Sequence, residues 1–515
     1  MATSRALSPG PVSLAVVLAT CLAAVGLAGQ ERRLGSVAFS NSGVPEAQEA
    51  FLQGVLLLHS FEYEDAATAF RQAQAIDADF ALAYWGEAMT YNHPLWQQQD
   101  REAALAALAR YAPTPAERAA KAPTERERGY LEAVDALYGA GDKGARDRAY
   151  MDAMRRLARA HPADLEARAF HALSILGSRD GQRDFATYMR AAAEARPVFD
   201  ANPRHPGAAH YLIHSFDDPV HAPLGLEAAR AYADIAPDAG HAQHMTSHIF
   251  VAMGMWDDVV AANVRARDVQ NGRLAELGRP VNVCGHYTSW LHYGWLMRGQ
   301  LADAERGMAE CLERVRAGAS PGEQAYFTDM RARHVLDTRD WDAADRIAAD
   351  LGDSQAGSTY DFVTAYAAVQ RGDAAGAERV LAAMTAARER GGRDLPRARI
   401  QEMELRALLA LRTGDVPGGL ETLRQAAALE ESLPFEFGPP ASVKPPHELL
   451  GEALLEAGRP GEAVEAFRAS LARTPERTLS LEGLAAAAEA AGDAATAADA
   501  HARLADIRGH ADATP

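Results

Sequence analysis

The stretch GVLLLHSFEYEDAATAFRQA, residues 54–73, aligns without a gap on GEALLEAGRPGEAVEAFRAS, residues 451–470. Gly54 and Gly451, Ala66 and Ala463, Phe70 and Phe467 coincide, and sixteen residues separate glycine from phenylalanine in each copy. Small residues at fixed offsets let two helices approach closely. The Phe plugs the space between them, and Pro475 stops the second helix of the later copy. Carried along the chain, this phase starts units near Ala47, Ala81, Leu165, Pro206, Gly240, Gly285, Ala325, Lys444 and Thr478, with looser copies around 124–161, 355–390 and 395–430. A single unit of this size cannot bury its own apolar face, so the array predicts one continuous helical stack rather than several separate domains. Segments 112–128 and LPFEFGPPASVKPP, 433–446, are its expected interruptions.

The pattern resembles the tetratricopeptide repeat, a helix–turn–helix unit of about 34 residues. The resemblance covers most of residues 45–510 and is clearest at 47–80, 206–239, 240–273, 285–318 and 444–477, ahead of a short tail, 511–515. It implies an all-α fold, a right-handed superhelical α-solenoid. It also implies that positions two, five and nine of each first helix line an inner, concave groove where a peptide, protein or small-molecule ligand binds.

The rest of the chain sets bounds. Of 515 residues, 48% are hydrophobic and few are aromatic, and the formal net charge of −18 is spread rather than blocked. Such a balance repels nucleic acid, and no Lys/Arg cluster overrides it. Residues 1–29 read as a secretory signal peptide cut near residue 28. Arg5 precedes the apolar run Val12 to Leu27, and Gly26-Leu27-Ala28 offers small residues for cleavage. Residues 30–44 would then be a linker and the protein periplasmic or extracellular, with no later stretch apolar enough to span a membrane. Removal of Cys21 leaves Cys284 and Cys311, read as two buried thiols, since spacing alone does not decide pairing.

The histidines follow the repeat. His241 and His286 take position two, His210 and His244 position five, His214 and His248 position nine, while Asp217 and Asp218 take twelve and thirteen. Positions two, five and nine share one helix face. Residues four apart have Cβ atoms roughly 6 Å apart, and the HxxxH pairs His210/His214 and His244/His248 should sit on helices about 8–10 Å apart. Imidazoles reaching ~2.1 Å from an ion can bridge that gap. His210, His214, Asp217, His241, His244, His248 and His286 are therefore candidate ligands of a transition metal, Zn, Cu, Fe or Ni rather than Ca or Mg. Asp217 and Asp218 are candidate bases for a metal-activated water or Lewis-acid reaction. His59, Trp85, His93, Tyr326 and Asp329 are expected to line the same groove, with His93-Pro94 ending its helix early so that a loop enters there. The competing reading is a polar groove without metal that holds a peptide or protein.

Other signals are weaker. Cys284, two residues before His286, could be a copper ligand or a nucleophile, but no third group or oxyanion element is readable. His161 and His205 precede prolines and read as caps, His292 as a packing residue, and His171, His334 and His447 have no assignable partner. There is no Gly-rich phosphate loop, HExxH, GxSxG or paired CxxC. The segments HPGAAHYLIHSFDDPVHAP (205–223), HAQHMTSHIFVAMGMWDD (241–258), FEFGPP (435–440) and HELLGEALLEAG (447–458) resemble a branch of exported bacterial tetratricopeptide proteins with His-rich middle repeats. That resemblance makes the histidine-bearing units a defining feature and implies no particular reaction.

Overall fold

The computed structural model describes residues 32–179, 183–351, 358–391 and 395–509. The expected signal peptide and the tail lie outside them. The chain is an all-α solenoid of the tetratricopeptide type. Its helices come in pairs: Gln48–His59 with Tyr63–Ile76, Ala81–Met89 with Arg101–Tyr111, Glu125–Leu137 with Lys143–Ala160, Leu165–Gly177 with Phe185–Ala201, Pro206–Phe216 with Ala222–Ile235, and Gly240–Ala252 with Trp256–Glu276. Beyond these follow His286–Arg298 with Leu301–Arg316, Pro321–Thr338 with the short Ala343–Arg346, Ser358–Gln370 with Ala374–Gly391, Pro396–Arg412 with Val416–Glu431, Pro446–Glu456 with Pro460–Arg473, and Thr478–Ala491 with Ala494–Ile507. Segment 112–128 contributes an extra short helix, Pro115–Lys121, and 433–445 is an irregular crossing loop. Among the described residues no helix is long and apolar enough to cross a membrane.

The glycine–phenylalanine pairs do what their spacing requires. A Cβ on Gly54 would stand 2.8 Å from the Phe70 ring, and one on Gly451 2.8 Å from Phe467. The same two rings also press on Gly86 and Gly483, in the following unit, so each Phe locks one hairpin onto the next. Overfilling so tight a contact typically costs about 1–3 kcal/mol. Gly86→Val is therefore expected to lower the urea midpoint with an unchanged m-value.

Two features depart from the sequence reading. Residues 33–44 are no free linker. They form an extended strap: the Arg33 guanidinium pairs with Asp238 at 2.9 Å, Ser36 N donates to the Arg204 carbonyl at 3.0 Å, and Ser42 N donates to Glu127 at 2.9 Å. Phe39 of the strap is buried among Phe51, Trp85 and Tyr130. Nor is the middle of the solenoid an open trough. The first unit reaches the middle ones through Arg273–Asp65 at 2.8 Å and Arg279–Glu64 at 2.9 Å. On the other flank Trp256 Nε1 donates to the Glu476 carbonyl at 2.9 Å. Helix Gly240–Ala252, covered from both sides, is buried at every residue. Local periodicity carries no record of contacts spanning some 200 residues, so this closure was invisible in the sequence.

Candidate metal centre

Three first helices, Pro206–Phe216, Gly240–Ala252 and His286–Arg298, carry the histidines inward. Their helical phase is set locally: Pro206 occupies the first turn, and His205 caps the helix by accepting from Ala208 N at 3.1 Å. Six imidazoles line up as two triads. His210, His214 and His241 form one, and His244, His248 and His286 the other; within each, the nitrogens offered lie within 4.8 Å of one another. Ring centroids within a triad are 4.4–5.0 Å apart where rings touch, as in His210–His214 at 4.8 Å and His244–His286 at 4.4 Å. Between triads they are wider, at 5.9 Å for His214–His248 and 6.1 Å for His241–His244.

Hydrogen bonds fix the tautomers of several rings. His210 Nδ1 donates to the His59 carbonyl at 2.7 Å, leaving Nε2 as a bare lone pair. The Nε2 atoms of His210, His214 and His241 are all buried and have no hydrogen-bond partner. In the second triad, Asn263 Nδ2 donates to the Val259 carbonyl at 2.9 Å, which turns Asn263 Oδ1 toward His244 Nδ1 at 2.7 Å. His248 Nδ1 donates to Asp217 Oδ2 at 2.5 Å. The Nε2 atoms of His244 and His248 then face each other at 3.1 Å, close enough to share one proton or one metal ion.

Burial drives the electrostatics. It pushes His210 and His286 down to about 3, helped by the neighbouring His248, and it lowers His214, His241 and His244 well below the usual imidazole range. These rings are neutral at physiological pH, the form that binds metal. Three nitrogens each ~2.1 Å from a tetrahedral ion stand roughly 3.4 Å apart, so small side-chain rotations would let either triad hold one.

Aromatic rings wall the row. Phe61, with a left-handed φ of 56°, stands 4.3 Å from the His210 ring and 5.5 Å from that of His241. Such backbone in a bulky residue is strained and persists only where its surroundings impose it. Trp290 lies 4.7 Å from His244 and 4.4 Å from His248, and Gly438 of the proline-rich loop, φ +86°, presses on Trp290. Beyond Asp217 lies a cavity of about 80 Å³, shared with Trp256, Tyr293 and Phe435.

The other candidates fall as follows. Asp217 lies outside both triads and acts through His248, with its second oxygen, Oδ1, buried and unpartnered. Asp218 is not placed to be a base. Its carboxylate pairs with Arg183 at 3.0 Å and accepts from Val220 N and His221 N at 2.9 Å each. Trp85 does not floor a groove, because Phe39, Tyr130 and Phe170 enclose it completely. His59 reaches the row only through its carbonyl. Its ring bridges Tyr211 OH and Glu166, both at 2.8 Å. The loop after Met89 does enter: His93 stacks on Tyr63 at 4.0 Å, and Trp96 stands 5.9 Å from His241. Tyr326 lies 5.7 Å from His286; burial and then the half-buried Asp329 push its phenol upward. Cys284 is neither ligand nor thiol but is disulfide-bonded to Cys311, with Cα atoms 4.6 Å apart.

Two participants went unread. Asn263 interrupts the apolar stripe Val259, Ala262, Ala266, and that interruption was its signal. Glu166 had none. Burial alone would raise its carboxyl, but His205 and His59 overcome that and hold it at about 2. His59, Glu166 and His205 have metal-like spacing, yet the ring nitrogens of both histidines are already engaged, so this third cluster is an internal ion network.

If Asp217 orients and polarises His248 as an outer-shell partner, removing its charge should weaken metal binding about 10–100-fold. Asp217→Asn keeps an acceptor for His248 Nδ1, so a competition titration should register that loss with little change in unfolding free energy.

No family model matches the chain, and no curated protein matches it. Solved structures similar to it include yeast Tom70, at 12% identity over 87% of this chain and 96% of that one with a TM-score of 0.35. Human IFIT1 in its dimer with PPP-AAAA is 12% identical over 88% and 94%, with a TM-score of 0.37. The Cut9–Hcn1 hetero-tetramer of APC/C is 10% identical over 92% and 75%, with a TM-score of 0.34.

Proposed function

We propose that this protein is an exported tetratricopeptide solenoid that binds a transition metal through its inward histidines and performs metal-dependent chemistry on a small ligand. The observation that carries the reading is the set of buried, unpartnered Nε2 atoms of His210, His214 and His241. Leaving buried polar atoms unpaired costs about 1–3 kcal/mol each, and a bound ion removes that cost for all three together. Three imidazole donors in each triad match the number of protein ligands in reactive rather than structural zinc-type sites. Export is supported by the apolar N-terminal run and by the Cys284–Cys311 disulfide, which an oxidising compartment preserves. The burial of the row favours a small ligand over an extended peptide.

Elemental analysis of the purified full chain tests this, beside His244→Ala/His248→Ala. Stoichiometric metal in the wild type and a marked loss in the variant are expected. Sub-stoichiometric metal in both, even after reloading, would return the protein to the peptide- or protein-binding scaffolds.

A further inference from the structure

Resting on the metal reading for what the ligand then meets, we infer that the large cavity between the proline-rich loop and helix Pro396–Arg412 binds a carboxylate with an apolar body and presents it to the histidine row. The cavity measures about 590 Å³, within the roughly 300–1,000 Å³ of pockets that enclose small molecules. It comes close to the row at two points. Phe437 forms part of its wall and stands 5.7 Å, ring to ring, from His248. Arg183, also in the wall, donates to the carbonyl of Asp217, whose Oδ2 lies 2.5 Å from His248 Nδ1.

The lining selects the occupant. Among the described residues its charged side chains are Arg179, Arg183, Arg397 and Glu436. Arg183 is paired with Asp218 at 3.0 Å, and Arg397 with Glu436 at 2.6 Å. Arg179 has no carboxylate partner among the described residues. It donates to the Tyr188 hydroxyl and to the Leu95 carbonyl, both neutral, at 3.2 Å each, and its Nε is buried without a partner. A guanidinium has five N–H donors and keeps its charge at any working pH, so Arg179 has donors left for an anion. Helix Pro396–Arg412 begins in the same wall, and Leu395 at its N-cap makes no side-chain capping bond. Its N-terminus adds positive potential beside the guanidinium. Most of the remaining wall is apolar, and Leu395 and Phe437 stay exposed there. Exposed apolar surface rimmed by charge marks a ligand groove. Walls of this kind favour an anion that carries an aryl or alkyl tail over a fully hydrated one such as phosphate.

The test is a calorimetric titration of the metal-free full chain with 3-phenylpropionate, with its neutral counterpart 3-phenylpropanol and with inorganic phosphate. Phenylpropionate should bind, and phenylpropanol should bind about 10–100-fold more weakly, the worth of a hydrogen bond between charged partners. Arg179→Gln should show a similar loss toward phenylpropionate. Phe437→Ala, at an exposed ring, should weaken both organic probes alike and keeps the test available if Arg179→Gln fails to fold. Equal binding of acid and alcohol would overturn the anion anchor, and phosphate held as tightly as phenylpropionate would overturn the apolar body. Repeating the titration with zinc(II)-loaded protein separates the two readings. A chain that holds zinc(II) but no phenylpropionate would overturn the cavity and spare the metal site; phenylpropionate binding in a chain that retains no metal would do the reverse.

Discussion

Replacing His214 by leucine is expected to abolish metal binding at the first triad while leaving the metal-free protein at least as stable as the wild type. The two side chains are similar in size, so the exchange opens little cavity. It deletes a buried Nε2 that has no partner, a group that costs about 1–3 kcal/mol in the metal-free state. Loss of a direct ligand should exceed the ~10–100-fold that outer-shell changes cause. A histidine kept for structure behaves oppositely: its removal strands its partners and lowers stability. Urea unfolding of the metal-free protein, set beside a metal competition titration, separates the two, because a functional ligand lowers affinity and raises or preserves stability. Residues retained against stability are the mark of a working site.

Arg477→Met should be among the most damaging single changes in the fold, at about 3–5 kcal/mol, the usual consequence of breaking a buried ion pair from one side. Arg477 is almost wholly buried and donates to Asp337 at 2.6 Å and to Glu448 at 2.9 Å. Lys444 Nζ lies 2.9 Å from the other oxygen of Glu448, and Ser480 Oγ donates to Glu448 at 2.6 Å. Burial alone would raise the Glu448 carboxyl, yet Arg477 and Lys444 hold it at about 2. Without the guanidinium, Asp337 loses its ion-pair partner while Glu448 keeps Lys444 and Ser480. Chemical unfolding should show the loss, and Arg477→Met/Asp337→Leu should recover part of it. The same network ties the C-terminal unit to the flank of the histidine row, so metal retention should fall along with stability.

The fold was legible because its signal is local and repeated. Gly54, Phe70, Gly451 and Phe467 report a hairpin that must stack on a copy of itself, and they also fix the phase that turns positions two, five and nine inward. That phase brought His210, His214, His241, His244, His248 and His286 together. It did not say which inward positions remain available. Trp85 shares position five with His210 and His244, yet Phe39 of the strap packs against it. Asp218 shares the loop of Asp217, but Arg183, 35 residues earlier, neutralises it. The pairing of Cys284 with Cys311, the ion network at Glu166 and the closure of the first unit over the middle ones all depend on long-range contacts that no periodicity encodes.

Anomalous diffraction from crystals of the metal-loaded protein, collected above and below the absorption edge of the bound element, is the most direct test of whether these imidazoles share an ion. The account predicts density bounded by the ring nitrogens of His210, His214 and His241, with its counterpart among His244, His248 and His286. Anomalous density confined to surface carboxylates or to exposed His501, with the six inner rings hydrogen-bonded to water, would contradict it.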